Sequence, residues 1–173
     1  MKKILIIIAI IISIVSVNKS KAEGIIIPHE SIRFRVIANS NTIDDQVIKN
    51  DITLYMEKYI KEILENTKTK EESLNKLLKN KENIDNYLKE YIKKNNLNIK
   101  YKINIGKNYF PEKEYKGVKY QSGLYDSLVI ELGKSSGMNW WCVIYPPLCL
   151  IEEDTKNVEY TTLVEEVLSN YNM

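Results

Sequence analysis

Ile32, Phe34 and Val36 alternate with Arg33 and Arg35, the two-residue period of a strand with one apolar face. Asn39-Ser40-Asn41 ends that pattern, and Thr42 stands three residues before Asp45 as a Thr-x-x-acid helix cap. Ile48, Ile52, Tyr55, Tyr59, Ile60 and Ile63 then recur at helical spacing, predicting an amphipathic helix over 43–65. Leu74, Leu77, Leu78, Ile84, Leu88, Tyr91 and Ile92 predict a second one over about 70–94. Thr69 and the Glu71-Glu72 pair mark its start, where acids suit the positive end of the helix dipole. Strict alternation returns with Ile99, Tyr101, Ile103 and Ile105. A loop around Phe110-Pro111 follows, then strands over 123–132 and 139–145, with Gly133 and Gly137 bracketing the turn between them. Tyr160, Leu163, Val164, Val167 and Leu168 share one face of a C-terminal helix within 158–171. This order predicts an α+β fold: a largely antiparallel sheet with two central amphipathic helices and the C-terminal helix packed on one side.

The first residues follow a different rule. Lys2-Lys3 precede an apolar stretch from Ile4 to Val17, and Ser20-Lys21-Ala22 places small residues at the −3 and −1 positions of a cleavage site. About fourteen helical residues rise only about 21 Å, short of a roughly 30 Å hydrocarbon core. Residues 1–22 therefore read as an export signal, with an uncleaved anchor as the alternative, and 23–173 as a single globular domain with Pro28 in an extended lead-in. The formal charge of +2 belongs to that signal: without Lys2, Lys3, Lys19 and Lys21 the balance turns slightly acidic. The remaining lysines alternate with glutamates along helix faces, so no nucleic-acid partner is expected. Membrane contact is expected only through the signal.

Catalytic chemistry has little to work with. His29 is the single histidine, and no Gly-x-Ser-x-Gly elbow or glycine-rich phosphate loop accompanies it. Two cysteines and one distant histidine do not make a zinc set, so neither a metal nor a cofactor is expected. The acidic groups Asp44-Asp45, Glu71-Glu72, Glu152-Glu153-Asp154 and Glu165-Glu166 fall where solvated helix caps and faces belong. No enzyme is expected.

Rare residues are concentrated instead in Asn139-Trp140-Trp141-Cys142-Val143-Ile144-Tyr145-Pro146-Pro147-Leu148-Cys149. This run holds both tryptophans, both cysteines and two of the four prolines. Trp140 and Trp141 are adjacent on a predicted strand, so they point to opposite faces. Each is either core filling or an interface anchor. Cys142 and Cys149 would lie about 23 Å apart if extended. A reversal at Pro146-Pro147 would let them bridge; closing so short a loop is worth about 2.5 kcal/mol on the chain-entropy model. Two buried free thiols are the alternative.

The run resembles the C-terminal signature NWWCVxxPPLC of the stage II sporulation protein R family. Ile32-Arg33-Phe34-Arg35-Val36-Ile37-Ala38-Asn39-Ser40, followed by Asp45-Gln46 and Lys49, is similar to that family's opening, and Tyr109-Phe110-Pro111 with Lys113 and Tyr115 matches its middle block. The chain departs from the pattern at Gln121-Ser122, where a Pro-Ala pair is usual. The resemblance implies a non-enzymatic signal made in the forespore and secreted into the intermembrane space of the septum. There it activates the membrane-embedded aspartic protease that processes pro-sigma E, by binding the extracytoplasmic part of that protease. Arg33, Arg35, Asn39, Ser40, Trp140, Trp141, Pro146 and Pro147 are the candidate contacts. A cell-wall module that binds or cleaves glycan, with the tryptophans as stacking platforms, is the alternative.

Overall fold

The computed structural model describes residues 25–115, 117–150 and 160–171; the expected export signal over 1–22 and the acidic run Glu152-Glu153-Asp154 lie outside them. Strand β1 (Ile25–Ile26) and β2 (Ile32–Ile37) lead into helix α1 (Ile43–Leu64). Two shorter helices, α2 (Lys70–Lys79) and α3 (Lys81–Lys94), come next. Strands β3 (Tyr101–Phe110), β4 (Lys113–Tyr115), β5 (Val118–Tyr120), β6 (Gly123–Leu132) and β7 (Asn139–Tyr145) follow. A 3-10 turn (Leu148–Leu150) and helix α4 (Tyr160–Asn170) complete the described chain. The α+β class expected from the pattern is the one observed.

The caps act as the sequence predicted. The Thr42 hydroxyl accepts from the Asp45 amide and that of Thr69 from the Glu72 amide, satisfying first-turn N–H groups that have no partner inside the helix. The expected continuous helix over 70–94 is broken at Asn80, whose ψ of 11° lies outside helical geometry. Its side-chain amide donates to the Lys76 carbonyl at 2.9 Å, the local competition with the helix ladder that asparagine offers.

Four strands form the main sheet in the order β3-β6-β2-β7, and β1, β5 and β4 form a smaller one. Pairing is antiparallel for β3–β6, β2–β7 and β4–β5, but β2 lies parallel to β6 and β1 to β5. The main core covers one face of the large sheet. Ile32, Phe34, Val36, Leu128, Ile130 and Leu132 meet Ile52, Met56, Ile60, Leu77, Ile84 and Leu88 of the three helices. The outer edge of this helix layer carries stacked tyrosines: Tyr87 lies 4.3 Å from Tyr55 and 4.1 Å from Tyr59, ring centre to ring centre.

The other face carries different contents. Phe110, Tyr125 and Val129 form one cluster there, with Trp141 against it. Val143 joins Ile27, Val118, Tyr120, Val164 and Leu168 in another. Because Val143 and Trp141 alternate with Trp140 and Ile144 along β7, α4 and the small sheet pack on the side away from α1–α3. The C-terminal helix is thus not on the same side as the central helices. An ion network ties the layers together at one end: Lys70, at the start of α2, and Lys107 of β3 both reach the nearly buried Asp126 of β6 at 3.0 Å. Lys70 also pairs with Glu30 at 3.1 Å. Burial works to raise the Asp126 pKa, yet the two lysines hold it below the usual carboxylate value.

Candidate interaction surface

Trp140 and Trp141 take opposite faces of β7, as their adjacency requires. The Trp140 ring sits edge-on to Phe34, 5.4 Å between centres, on the helix side. Trp141 sits edge-on to Phe110 at the same distance on the other side, with the Lys113 Nζ 5.2 Å from its ring centre. Both indoles are half-buried. Neither is a free loop residue nor a sealed core residue: each is anchored by an aromatic partner while part of it meets solvent. Among the described residues β7 pairs with β2 alone, so the two rings flank the rim of the sheet. The sequence pattern contained Phe110 and Lys113, but nothing in it tied them to Trp141; only the pairing of β3 with β6 and β2 with β7 does so.

Arg33 and Arg35, whose alternation with Phe34 and Val36 points to pairing with helix carboxylates or to a small cationic strip, share the face of Trp141; among the described residues neither forms a salt bridge with a helix carboxylate. Arg33 is only 1% exposed. Its guanidinium carbon lies 3.4 Å from the Tyr125 ring centre, 5.3 Å from Phe110 and 5.9 Å from Tyr120. One terminal nitrogen donates to the Gln121 carbonyl at 3.0 Å. Its Nε and Nη1, the Nε of Arg35 and the Oγ of Ser31 are buried without a hydrogen-bond partner, so ring faces supply the main contacts of the Arg33 charge. Burial draws the Arg33 pKa below its usual value, while Tyr125 and Tyr120 oppose that. Arg35 is half-buried, 4.6 Å from the Phe110 ring centre, and is drawn down by burial against the nearby Glu131. Arg33 is therefore a structural cation, and of the two only Arg35 reaches the surface beside Trp141, its strand partner.

Asn39 and Ser40 knit the fold. The Asn39 side chain donates to Asp45 at 2.9 Å and accepts from the Lys134 amide at 2.9 Å, and its carbonyl accepts from the Ser136 amide and hydroxyl. The Ser40 hydroxyl also donates to Asp45, and these two bonds hold the Asp45 carboxyl below the usual range. Gly133 has φ +56°, and a Cβ there would run into the Asn39 side chain, so the β6–β7 turn needs glycine at that position. With the side-chain amide and the carbonyl of Asn39 engaged, this loop is less tolerant of change than its polarity suggests.

Cys142 and Cys149 form the disulfide, Cα atoms 5.5 Å apart. The chain reverses at the cis Tyr145–Pro146 peptide, and the 3-10 turn packs back on β7 and α1. Pro146 is buried and Pro147 half-buried. Because β7 runs antiparallel to β2, this corner lies beside Ile32, whereas Asn139 lies beside Ile37 at the Asn39 end. Six residue steps, roughly 20 Å, separate them. The candidate contacts thus divide into Arg35, Trp140 and Trp141 toward the Asn39 end of the rim and the Pro146-Pro147 corner at the other, not one continuous corner. His29 is exposed, its ring tilted against Tyr125 with 4.8 Å between centres. Among the described residues no group of three or more His, Cys, Asp or Glu is placed to hold a metal ion, and no helix is long and apolar enough to cross a membrane.

The described residues form a mixed α+β domain with a disulfide-closed corner and an aromatic sheet rim. Residues 28–155 match the family described as Stage II sporulation protein R. Over 135 residues the chain is 33% identical to "Stage II sporulation protein R" of Bacillus subtilis (strain 168), covering 78% of this chain and 60% of that protein. The chain belongs to the stage II sporulation protein R family and has a role in sporulation. No solved structure matches it.

Proposed function

We propose that the domain is an exported ligand. Made in the forespore and passed into the space between the two septal membranes, it binds the extracytoplasmic part of the membrane-embedded protease that processes pro-sigma E. Binding shifts that protease toward its active form, which requires tighter binding to the active state than to the resting one. Membership in the family supports the role, and the observation that carries the mode of action is the pair of half-buried indoles on the rim strand β7. Indoles held by Phe34 and Phe110 lose little side-chain entropy when a partner docks, and tryptophan anchors are where binding energy concentrates. Arg35 and Lys113 give the Trp141 side a positive rim suited to an acidic segment of the partner.

The test is sigma-factor processing in cells carrying Trp140→Ala or Trp141→Ala, with co-precipitation of each variant by the protease precursor. Either change is expected to cost roughly 2 kcal/mol, about half the loss for a fully buried aromatic. At least one should leave a folded, exported protein that no longer binds or triggers processing. Two folded, exported variants that still bind and trigger processing would remove the rim of β7 from the interface.

A further inference from the structure

Lys49 is a cation that the fold places without an acid. It lies about 20° round α1 from Met56 and Ile60, on the side turned to the sheet, and is only 7% exposed. Lys70 and Lys107 share Asp126, and Lys102 pairs with Glu131. Lys49 has no such partner among the described residues. Its Nζ donates to the Gln46 side-chain oxygen at 2.8 Å, and the Gln46 amide in turn donates to the Ser40 carbonyl at 2.9 Å. One neutral acceptor does not match an ammonium with three N–H groups and little remaining water. Lys113 stands on the far side of β7, exposed and 5.2 Å from the centre of the Trp141 ring, also without an acid among the described residues. Burial draws the Lys49 pKa below its usual value, and the charge of Lys113 draws it further.

The two ammonium groups thus flank β7 from opposite sides, α1 touching that strand on the helix side. One half of the strand's outer edge is closed by the Cys142–Cys149 bridge, with the Cys149 sulfur 2.8 Å from the Val143 carbonyl oxygen. The other half, residues 139–141, pairs with β2 alone among the described residues. We propose that Lys49 and Lys113 form a receptor for one carboxylate side chain of an extended acidic segment of the partner, laid along residues 139–141 between the two indoles. This rests on the β7 rim being the partner surface. Two observations select the occupant. Like charges held near one another, one of them nearly buried, raise the energy of the empty surface, and an anion between them lowers it where a neutral or basic segment does not. An unpaired strand edge also offers backbone N–H and C=O groups, which a peptide satisfies in register and a free inorganic anion does not. The attraction is local, because the chain without its expected signal is slightly acidic. Indoles on either side shield the carboxylate from water and strengthen its hold on both ammonium groups.

Calorimetry of the full chain in a mild detergent tests this, with poly-L-glutamate as the probe and poly-L-threonine as the neutral control. The native chain should bind the first and not the second, and Lys49→Met and Lys113→Met should each weaken that binding roughly tenfold. Lysine NMR adds a readout that a purely structural Lys49 would not move. Its pKa should rise toward the usual value in Lys113→Met, and in the native chain when poly-L-glutamate is added. Methionine keeps the Lys49 stem, so urea unfolding should be little changed. Should that variant fail to fold, Lys113→Met, at an exposed position, carries the test alone. Equal binding of both polymers overturns the proposal, and so does poly-L-glutamate binding that both variants leave intact. Inorganic phosphate bound as tightly as poly-L-glutamate, and lost in the same variants, overturns the peptide occupant. Alanine at Trp140 or Trp141 separates the two readings: if those variants lose the protease precursor while both lysine variants still bind it, the carboxylate receptor is wrong and the rim stands.

Discussion

The two faces of the central sheet are built on different physics although one strand serves both. Toward the helices, β2 presents Ile32, Phe34 and Val36 to an aliphatic layer that gains stability by removing apolar area from water. Away from them it presents Arg33 and Arg35 to an aromatic cluster of Phe110, Tyr120 and Tyr125, where a nearly buried guanidinium is held chiefly by ring faces. The first kind of face tolerates any side chain of the right size and oiliness. The second depends on matched geometry, because a buried cation whose rings are removed keeps its desolvation cost. Trp140 and Trp141 carry the same division out to the rim, one indole on each face.

Phe34→Ala strikes the helix face at its centre and should cost about 3–5 kcal/mol, measured by urea unfolding. A loss under about 1 kcal/mol would mean the aliphatic layer is not the principal source of stability. On the other face the comparison is between two replacements of Arg33. Arg33→Ala should cost roughly 2–3 kcal/mol, because three rings and the Gln121 carbonyl lose their partner. Arg33→Met, which fills similar space without charge, should stay within about 1 kcal/mol of the native chain, as buried charges replaced by apolar groups commonly do. If methionine proves as damaging as alanine, the charge itself, and not its packing, holds that face together.

A smaller effect separates the layers by pH. Glu57 of α1 is half-buried, and burial pushes its carboxyl pKa up to about 7, from an ordinary value of about 4.3. The folded chain therefore holds this proton more tightly than the unfolded one. Its contribution is fully present below about pH 4.3 and is lost as pH rises through about 7. Glu57→Gln should flatten that slope and raise stability at pH 8 by on the order of 1 kcal/mol, after allowance for partial exposure. An unchanged slope between pH 5 and 7 would place the responsible group elsewhere.

Much of this molecule is determined by short-range pattern. The period of β2, the extent of α1, the Thr42 and Thr69 caps and the opposed indoles follow from alternation, helical spacing and capping chemistry, which depend on neighbours a few residues away. The spacing alone leaves the Cys142–Cys149 bridge open against two free thiols, and the reversal at Pro146 that brings the Cα atoms to 5.5 Å decides it. The tertiary structure alone decided the rest. Parallel pairing of β2 with β6, the division at Asn80 and the position of α4 on the far face depend on contacts between residues distant in the chain. So does the character of Arg33, whose strand pattern leaves it either in a small cationic strip or paired with a helix carboxylate. It is buried because Phe110, Tyr120 and Tyr125, some eighty to ninety positions later, close over it. Local pattern determines which way a side chain points, and only the assembled layers determine what it meets there.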